Sequence, residues 1–68
     1  MNFRLTWRHK DGSVVTFSPE GWTCSDPEKA AWLNAMNRLT SSEPAIAALV
    51  RMWLEQECQL LEAHRLES

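Results

Sequence analysis

The alternation of apolar and polar residues on both sides of Asp11-Gly12, in the stretch TWRHKDGSVVTF (residues 6–17), constrains the fold more than any other feature. Alternation around an Asp-Gly pair predicts a β-hairpin, here over residues 2–18. A two-residue turn at Asp11-Gly12 would divide the apolar side chains between the two faces. A three-residue loop starting at Lys10, with Gly12 in the left-handed conformation of a bulge, gathers them on one face, and we therefore predict that register. The predicted core face then carries Phe3, Leu5, Trp7, Val15 and Phe17.

Basic side chains lie on the opposite face of the predicted hairpin. The candidates there for contacting phosphate groups or a partner's carboxylates are Arg4, Thr6, Arg8 and Lys10. The competing interpretation is a solvated outer face, which is routine in antiparallel sheets. Residues 1–17 carry three basic and one acidic side chain, a balance of +2, while the whole chain has a net charge of −2. This distribution allows a small basic face but excludes the broad basic stripe typical of nucleic-acid-binding proteins.

The segment after the hairpin begins with a turn signal, Ser18-Pro19-Glu20-Gly21, which is typical of a type I turn. The turn would bring residues 22–24 alongside the hairpin as a short third strand or an extended link.

Two similar stretches, SDPEKAAWL from Ser25 and SEPAIAALV from Ser42, each indicate the start of a helix. A serine or an acid can cap free amide groups, and a proline in the first turn has no amide to leave unpaired. We predict a first helix over residues 27–39, with Ser25 as its cap, and a second over residues 44–66. The short polar connection between them favours an antiparallel pair.

The second predicted helix is apolar nearly all round from Ala45 to Leu54, which a helix buried on one side only does not require. Its 23 residues would be about 35 Å long, whereas a domain of this size is about 28 Å across. The helix should therefore overhang its own fold and bind a partner, either a second copy in a homodimer or a larger protein. The alternative is a monomer with a frayed, solvated helix end. The predicted partner-binding residues are Val50, Trp53, Leu54, Cys58, Leu61 and Arg65.

The length of 68 residues indicates one small domain, residues 1–68, whose core alone gives marginal stability. Two cysteines and two histidines without metal-ligand spacing predict no metal site and no cofactor. The chain does not start with a signal peptide, so we expect a cytoplasmic protein in which Cys24 and Cys58 are free thiols rather than a disulfide. No apolar run approaches the roughly 20 residues that span a bilayer, which predicts a soluble protein with no membrane partner.

The predicted fold class is therefore α+β: an N-terminal antiparallel hairpin, with a possible third strand, packed on two antiparallel helices in the order ββαα. Neither histidine, His9 near the hairpin loop or His64 near the predicted helix end, has a partner suited to catalysis, and we expect no enzyme activity. The predicted function is a non-catalytic protein-protein interaction module, such as an adaptor, an assembly factor or an inhibitor of the kind that phages and mobile elements encode. The alternative, a small nucleic-acid-binding protein, would use the basic outer face of the hairpin.

Overall fold

Two helices lie on one face of a four-stranded antiparallel sheet in the computed structural model, which describes residues 2–65. The elements in chain order are β1 (Phe3–His9), β2 (Val14–Ser18), β3 (Gly21–Cys24), α1 (Pro27–Leu39), α2 (Ala45–Glu57) and β4 (Cys58–Arg65). The strand order in the sheet is β3-β2-β1-β4. The α+β class is thus confirmed, while the number and order of strands differ from the prediction. Neither described helix is long and apolar enough to cross a membrane.

The β1–β2 hairpin has the predicted register and the predicted three-residue loop. The aligned pairs are Leu5–Phe17, Thr6–Thr16, Trp7–Val15 and Arg8–Val14. At the loop, the His9 amide donates to the Ser13 carbonyl and the Gly12 amide donates to the His9 carbonyl, each at 2.8 Å. Gly12 has a φ of +96°, the left-handed region that favours glycine. The alternation of side chains therefore determined the register correctly.

Strand β3 confirms the third strand and is fastened to α1 by one side chain. The Asn34 carboxamide accepts from the Trp22 amide at 3.1 Å and donates to the Trp22 carbonyl at 2.9 Å. Gly21 precedes this contact with a φ of +117°, and a Cβ atom there would lie 3.1 Å from Asn34 Oδ1. The position therefore requires glycine both for its backbone conformation and for the close approach of α1.

Helix α1 spans the predicted residues, but its cap is one residue later than predicted. The Asp26 side chain accepts a hydrogen bond from the Glu28 amide at 3.0 Å. Ser25 instead uses its hydroxyl to accept from the Val14 amide at 2.9 Å, and its own amide donates to the Val14 carbonyl. Ser25 thus prolongs the pairing of β2 with β3 up to the start of the helix.

The prediction of one helix over residues 44–66 is wrong for residues 58–65, and residue 66 lies outside the described residues. Helix α2 ends at Glu57, and the chain continues as β4 antiparallel to β1. Residues 58–65 include no glycine, proline or β-branched residue, so no local signal ends the helix. The cause is tertiary: in a hairpin alone, one edge of β1 would leave its backbone groups without partners, and β4 provides them. The element order is therefore βββααβ, the overhanging helix does not exist, and three predicted partner-binding residues are strand residues: Cys58, Leu61 and Arg65.

The core lies between the sheet and the helices and is small. Val15 and Leu33 are fully buried, and Val50 and Leu54 are nearly so. The residues packed around these four are Trp7, Trp22, Cys24, Met36, Trp53 and Cys58. Because large aromatic side chains bury much apolar area each, the tryptophans compensate for the small number of core residues.

The two cysteines are free and half-buried, as predicted. Cys24 lies on β3 and Cys58 on β4, at opposite edges of the sheet with β2 and β1 between them. Three strand spacings correspond to about 14 Å, whereas a disulfide requires Cα atoms within about 7 Å. The geometry therefore excludes a disulfide within one chain.

A network of charged side chains fastens the hairpin loop to the start of α1. The Lys29 ammonium donates to Asp11 at 2.6 Å and to Asp26 at 2.8 Å. Asp11 also accepts from the Ser13 amide at 2.8 Å and from the Ser13 hydroxyl at 2.6 Å. Hydrogen bonds from Lys29 and, to a smaller extent, from Ser13 hold the pKa of Asp11 far below its ordinary value. A hydrogen bond from Lys29 likewise lowers the pKa of Asp26. The two carboxylates raise the pKa of Lys29.

The Leu33→Ala substitution tests the position of the core. Leu33 is fully buried, whereas Leu39 on the same helix is 50% exposed. We expect Leu33→Ala to lower the free energy of unfolding by about 3 kcal/mol, because it leaves a cavity. Leu39→Ala, the matched control, should lower it by about 0.5 kcal/mol or less. Urea unfolding monitored by tryptophan fluorescence measures both values, and equal losses would contradict the described packing.

The Asp11→Asn substitution tests the charged network. A carboxyl whose pKa is lowered by folding stabilises the folded state above its ordinary pKa of 3.8, and this stabilisation is lost as the pH falls through the lowered value. We expect the wild-type melting temperature to fall as the pH drops from about 4 to about 2. Asp11→Asn should melt at a lower temperature at neutral pH and show a smaller fall on acidification.

The control for this experiment is Glu20→Gln, which removes an exposed carboxylate at the other hairpin turn. Thermal unfolding followed by circular dichroism across this pH range gives the comparison. The network would have no role in stability if Asp11→Asn and Glu20→Gln behaved alike.

Candidate protein-binding interface

The six residues predicted to bind a partner do not form one surface. Val50 and Leu54 belong to the core, Trp53 and Cys58 are half-buried against it, and Leu61 and Arg65 are exposed on β4. We therefore take β4, rather than the predicted helix, as the candidate interface. This strand is the longest in the sheet, and seven of its eight residues are exposed.

The backbone hydrogen bonds of β1 show to which neighbouring strand each of its residues directs its amide and carbonyl groups. The His9 amide bonds to Ser13 on the β2 side, whereas the next amide, that of Lys10, bonds to the Glu57 carbonyl at 2.9 Å where α2 leads into β4. Successive residues of a strand direct their backbone groups to opposite neighbours. The even-numbered residues of β1 therefore direct their backbone groups to β4. Their partners on β4 are Gln59 opposite Arg8, Glu62 opposite Thr6, and His64 opposite Arg4.

The alternate residues of β4 direct their backbone groups away from the sheet. After the register shift between Thr6 and Trp7, which leaves Leu61 as the extra residue of a bulge, these outward residues are Ala63 and Arg65. Within residues 2–65 no other strand pairs with this edge. The free edge of β4, which we define as residues 61–65, thus presents amides and carbonyls that a further strand could pair with.

Exposed apolar side chains lie at the start of this edge. Leu60 is 53% exposed and Leu61 is 45% exposed. Leu60 is the last paired residue before the register shifts, and Leu61 is the extra residue of the bulge. The bulge thus brings two adjacent leucines to the surface. No sequence signal revealed this edge, because it exists only once β4 has paired with β1.

The predicted basic face is only partly formed. The three residues that share the outer face of β1 are Arg4, Thr6 and Arg8. Lys10 is not among them, since it pairs with Glu57 and holds the pKa of that carboxyl below its ordinary value. Glu62 stands opposite Thr6 and places a negative charge between the two arginines. The outer face therefore carries mixed charge.

A cleft of about 310 Å³ where α2 meets β4 brings together a thiol and an imidazole. Cys58 lies opposite His9, and His9 Nδ1 lies 3.1 Å from Asp11 Oδ1. A nucleophilic cysteine requires a lowered pKa, but burial raises the pKa of Cys58. His9 is only 8% exposed and stacks on Trp53 with ring centroids 5.4 Å apart. We interpret this cluster as packing at the end of the sheet. Among residues 2–65, no three His, Cys, Asp or Glu side chains are placed to hold a metal ion.

Proline substitutions test the direction of the β4 backbone. The amide of Ala63 points outward, so Ala63→Pro removes no hydrogen bond of the sheet, whereas His64→Pro removes one to β1. We expect His64→Pro to lower the free energy of unfolding by at least about 1 kcal/mol more than Ala63→Pro. Urea unfolding of both variants provides the measurement. Equal losses, or a larger loss for Ala63→Pro, would show that the assigned direction is wrong.

Comparison with known proteins adds no functional assignment to this geometry. The sequence matches no protein-family model, and no curated protein or solved structure shows significant similarity to it.

Proposed function

We propose that this chain is a non-catalytic protein-binding module that accepts a strand from its partner along the free edge of β4. The observation that carries the proposal is the row of outward backbone groups at Ala63 and Arg65 on a strand whose side chains are almost all exposed. In strand addition, backbone hydrogen bonds provide affinity and alternate side chains provide specificity. The free edge of β4 offers both.

The composition of β4 supports this proposal. Proteins commonly protect edge strands against further pairing by placing lysine or proline in them, by β-bulges or by keeping them short. Strand β4 has eight residues and contains neither lysine nor proline. β3, at the opposite edge, has four residues and ends at the turn into α1, so it offers a much shorter template. The bulge at Leu61 restricts regular pairing on β4 to the residues that follow it.

Apolar contacts at Leu60 and Leu61 would supplement the backbone hydrogen bonds. Both leucines are about half exposed, and covering them removes apolar area from water in the bound state. The outer face of β1 gives less support to nucleic-acid binding, because Glu62 lies between its arginines and Lys10 is paired with Glu57. Protein binding at the edge is therefore the function that the geometry supports best.

Selection of peptides from a displayed library of random octapeptides tests the proposed function. We expect selected peptides to bind the wild-type protein and the Ala63→Val control, which keeps the amide of residue 63. Binding to Ala63→Pro should fall by at least about tenfold, because one outward hydrogen bond is lost and the proline ring obstructs the edge.

Hydrogen exchange locates the binding site in the same experiment. A bound peptide should slow exchange at the outward amides of Ala63 and Arg65 more than at Gln59, which already faces β1. The proposal is contradicted if the selected peptides bind Ala63→Pro as tightly as wild type, or if the protected amides lie away from β4.

A further inference from the structure

We infer that the strand accepted by the free edge of β4 is β4 of a second copy, so that two chains form one continuous eight-stranded sheet. This inference rests on the proposed function and specifies its partner. The observation behind it is that each copy carries a carboxylate, Glu62, and a basic neighbourhood, His64 opposite Arg4, which complement each other when two copies run antiparallel. Such pairing brings Glu62 of each copy opposite His64 of the other.

The two-fold symmetry of this arrangement limits it to two copies. A two-fold axis perpendicular to the sheet relates two antiparallel copies of β4 and places the same surface on both sides of the interface. The resulting strand order is β3-β2-β1-β4-β4-β1-β2-β3, with the helices of both copies on the same face. Pairing β4 with β3 of another copy would instead repeat without closing and would produce a filament.

The position of the axis follows from the backbone directions. In a two-fold antiparallel pair, the residue on the axis faces its own equivalent, and it forms a hydrogen-bonded pair only if its backbone points outward. Ala63 meets this condition, and its small side chain allows two copies to meet at the axis. Arg65 also points outward and then lies opposite Leu61 of the second copy. The pairing therefore covers the four residues of β4 that follow the bulge and reaches the bulge residue Leu61 at each end.

The charges on the outer face favour the same axis. With Ala63 at the centre, Glu62 lies opposite His64 of the second copy, and symmetry repeats the contact. His64 in turn lies opposite Arg4 of its own β1, so the carboxylate of each copy meets an imidazole of the other with the guanidinium of Arg4 next to it.

Other axes are less favourable. With the axis at Glu62, two carboxylates would face each other, which is destabilising. With the axis at Leu61, the centre would fall on the bulge, and Leu60 would lie opposite Glu62.

The predicted dimer is weak and reversible. Five residues from each copy pair, so the interface is expected to be smaller than about 1,200 Å², the range of transient complexes. The exposed Leu61 adds apolar contact at both ends, where it lies opposite the aliphatic part of Arg65 of the second copy. Association should therefore depend on protein concentration.

Sedimentation velocity of variants with changed charges at residues 62 and 64 tests the inference. Four forms are compared from about 10 μM to about 1 mM, the range that suits weak association: wild type, Glu62→Lys, His64→Glu and the double variant. We expect each single variant to dimerise about tenfold more weakly, because both symmetry-related pairs are disrupted, and the double variant to return to within about threefold of wild type. Both side chains are exposed, so circular dichroism should show an unchanged fold in all four forms.

The control variant is Glu20→Lys, an exposed position in the turn between β2 and β3 on the far side of the sheet from β4, which should leave association unchanged. The inference is overturned if the wild type stays monomeric at the highest concentration, or if dimers form without sensitivity to the charge exchange. A monomeric wild type whose β4 still binds selected peptides would leave the proposed function standing and exclude only the second copy as partner. A monomer that also binds no peptide at β4 would overturn both.

Discussion

Strand β1 is hydrogen-bonded along both of its edges, and the placement of the other elements depends on this. Its odd-numbered residues direct their backbone groups to β2, and its even-numbered residues direct theirs to β4. The side chains follow the same parity: Trp7 and His9 face the helices, while Arg4 and Arg8 face outward. The register of the hairpin therefore determines which face of the sheet is available to the helices. It also determines which backbone groups of β4 remain free.

Polar contacts compensate for a small core, in which four apolar side chains are buried among residues 2–65. Asn34 joins α1 to β3, and Lys29 joins the start of α1 to the hairpin loop through Asp11 and Asp26. Lys10 joins β1 to the end of α2 through both its backbone amide and its ammonium. The Lys29–Asp11 and Lys10–Glu57 contacts connect elements that are distant in sequence, whereas Asn34 joins two consecutive elements. All of them reinforce the same arrangement that the aromatic packing supports. Ion pairs on the surface are individually weak. Here three of them restrain the ends of helices next to the sheet: Lys29–Asp11, Lys29–Asp26 and Lys10–Glu57.

The parts of the fold that could be predicted from sequence are those whose determinants are local. Gly12 and the alternation around it specify the hairpin register, and Asp26-Pro27 marks the start of α1 within one residue of the predicted cap. Strand β4 could not be predicted, because its leucine, glutamate, glutamine and alanine residues favour a helix, and its partner β1 lies about 50 residues away. The predicted partner-binding residues assume the same long helix, and their role in binding stays a prediction. The predicted site was the face of a long helix, whereas the free edge arises from sheet order, which no single segment of the sequence encodes.

The separation between β1 and β4 has a consequence for synthesis on the ribosome. When the hairpin has emerged, one edge of β1 is still unpaired, and about 50 further residues must be added before β4 is present, which takes about 3 to 10 s at ordinary translation rates. During this interval, β1 carries the exposed edge that β4 carries in the finished molecule. Neighbouring nascent chains on one polysome could exchange strands at that stage. Slow completion of the sheet therefore makes β1, rather than β4, the segment most in need of protection while the chain is being made.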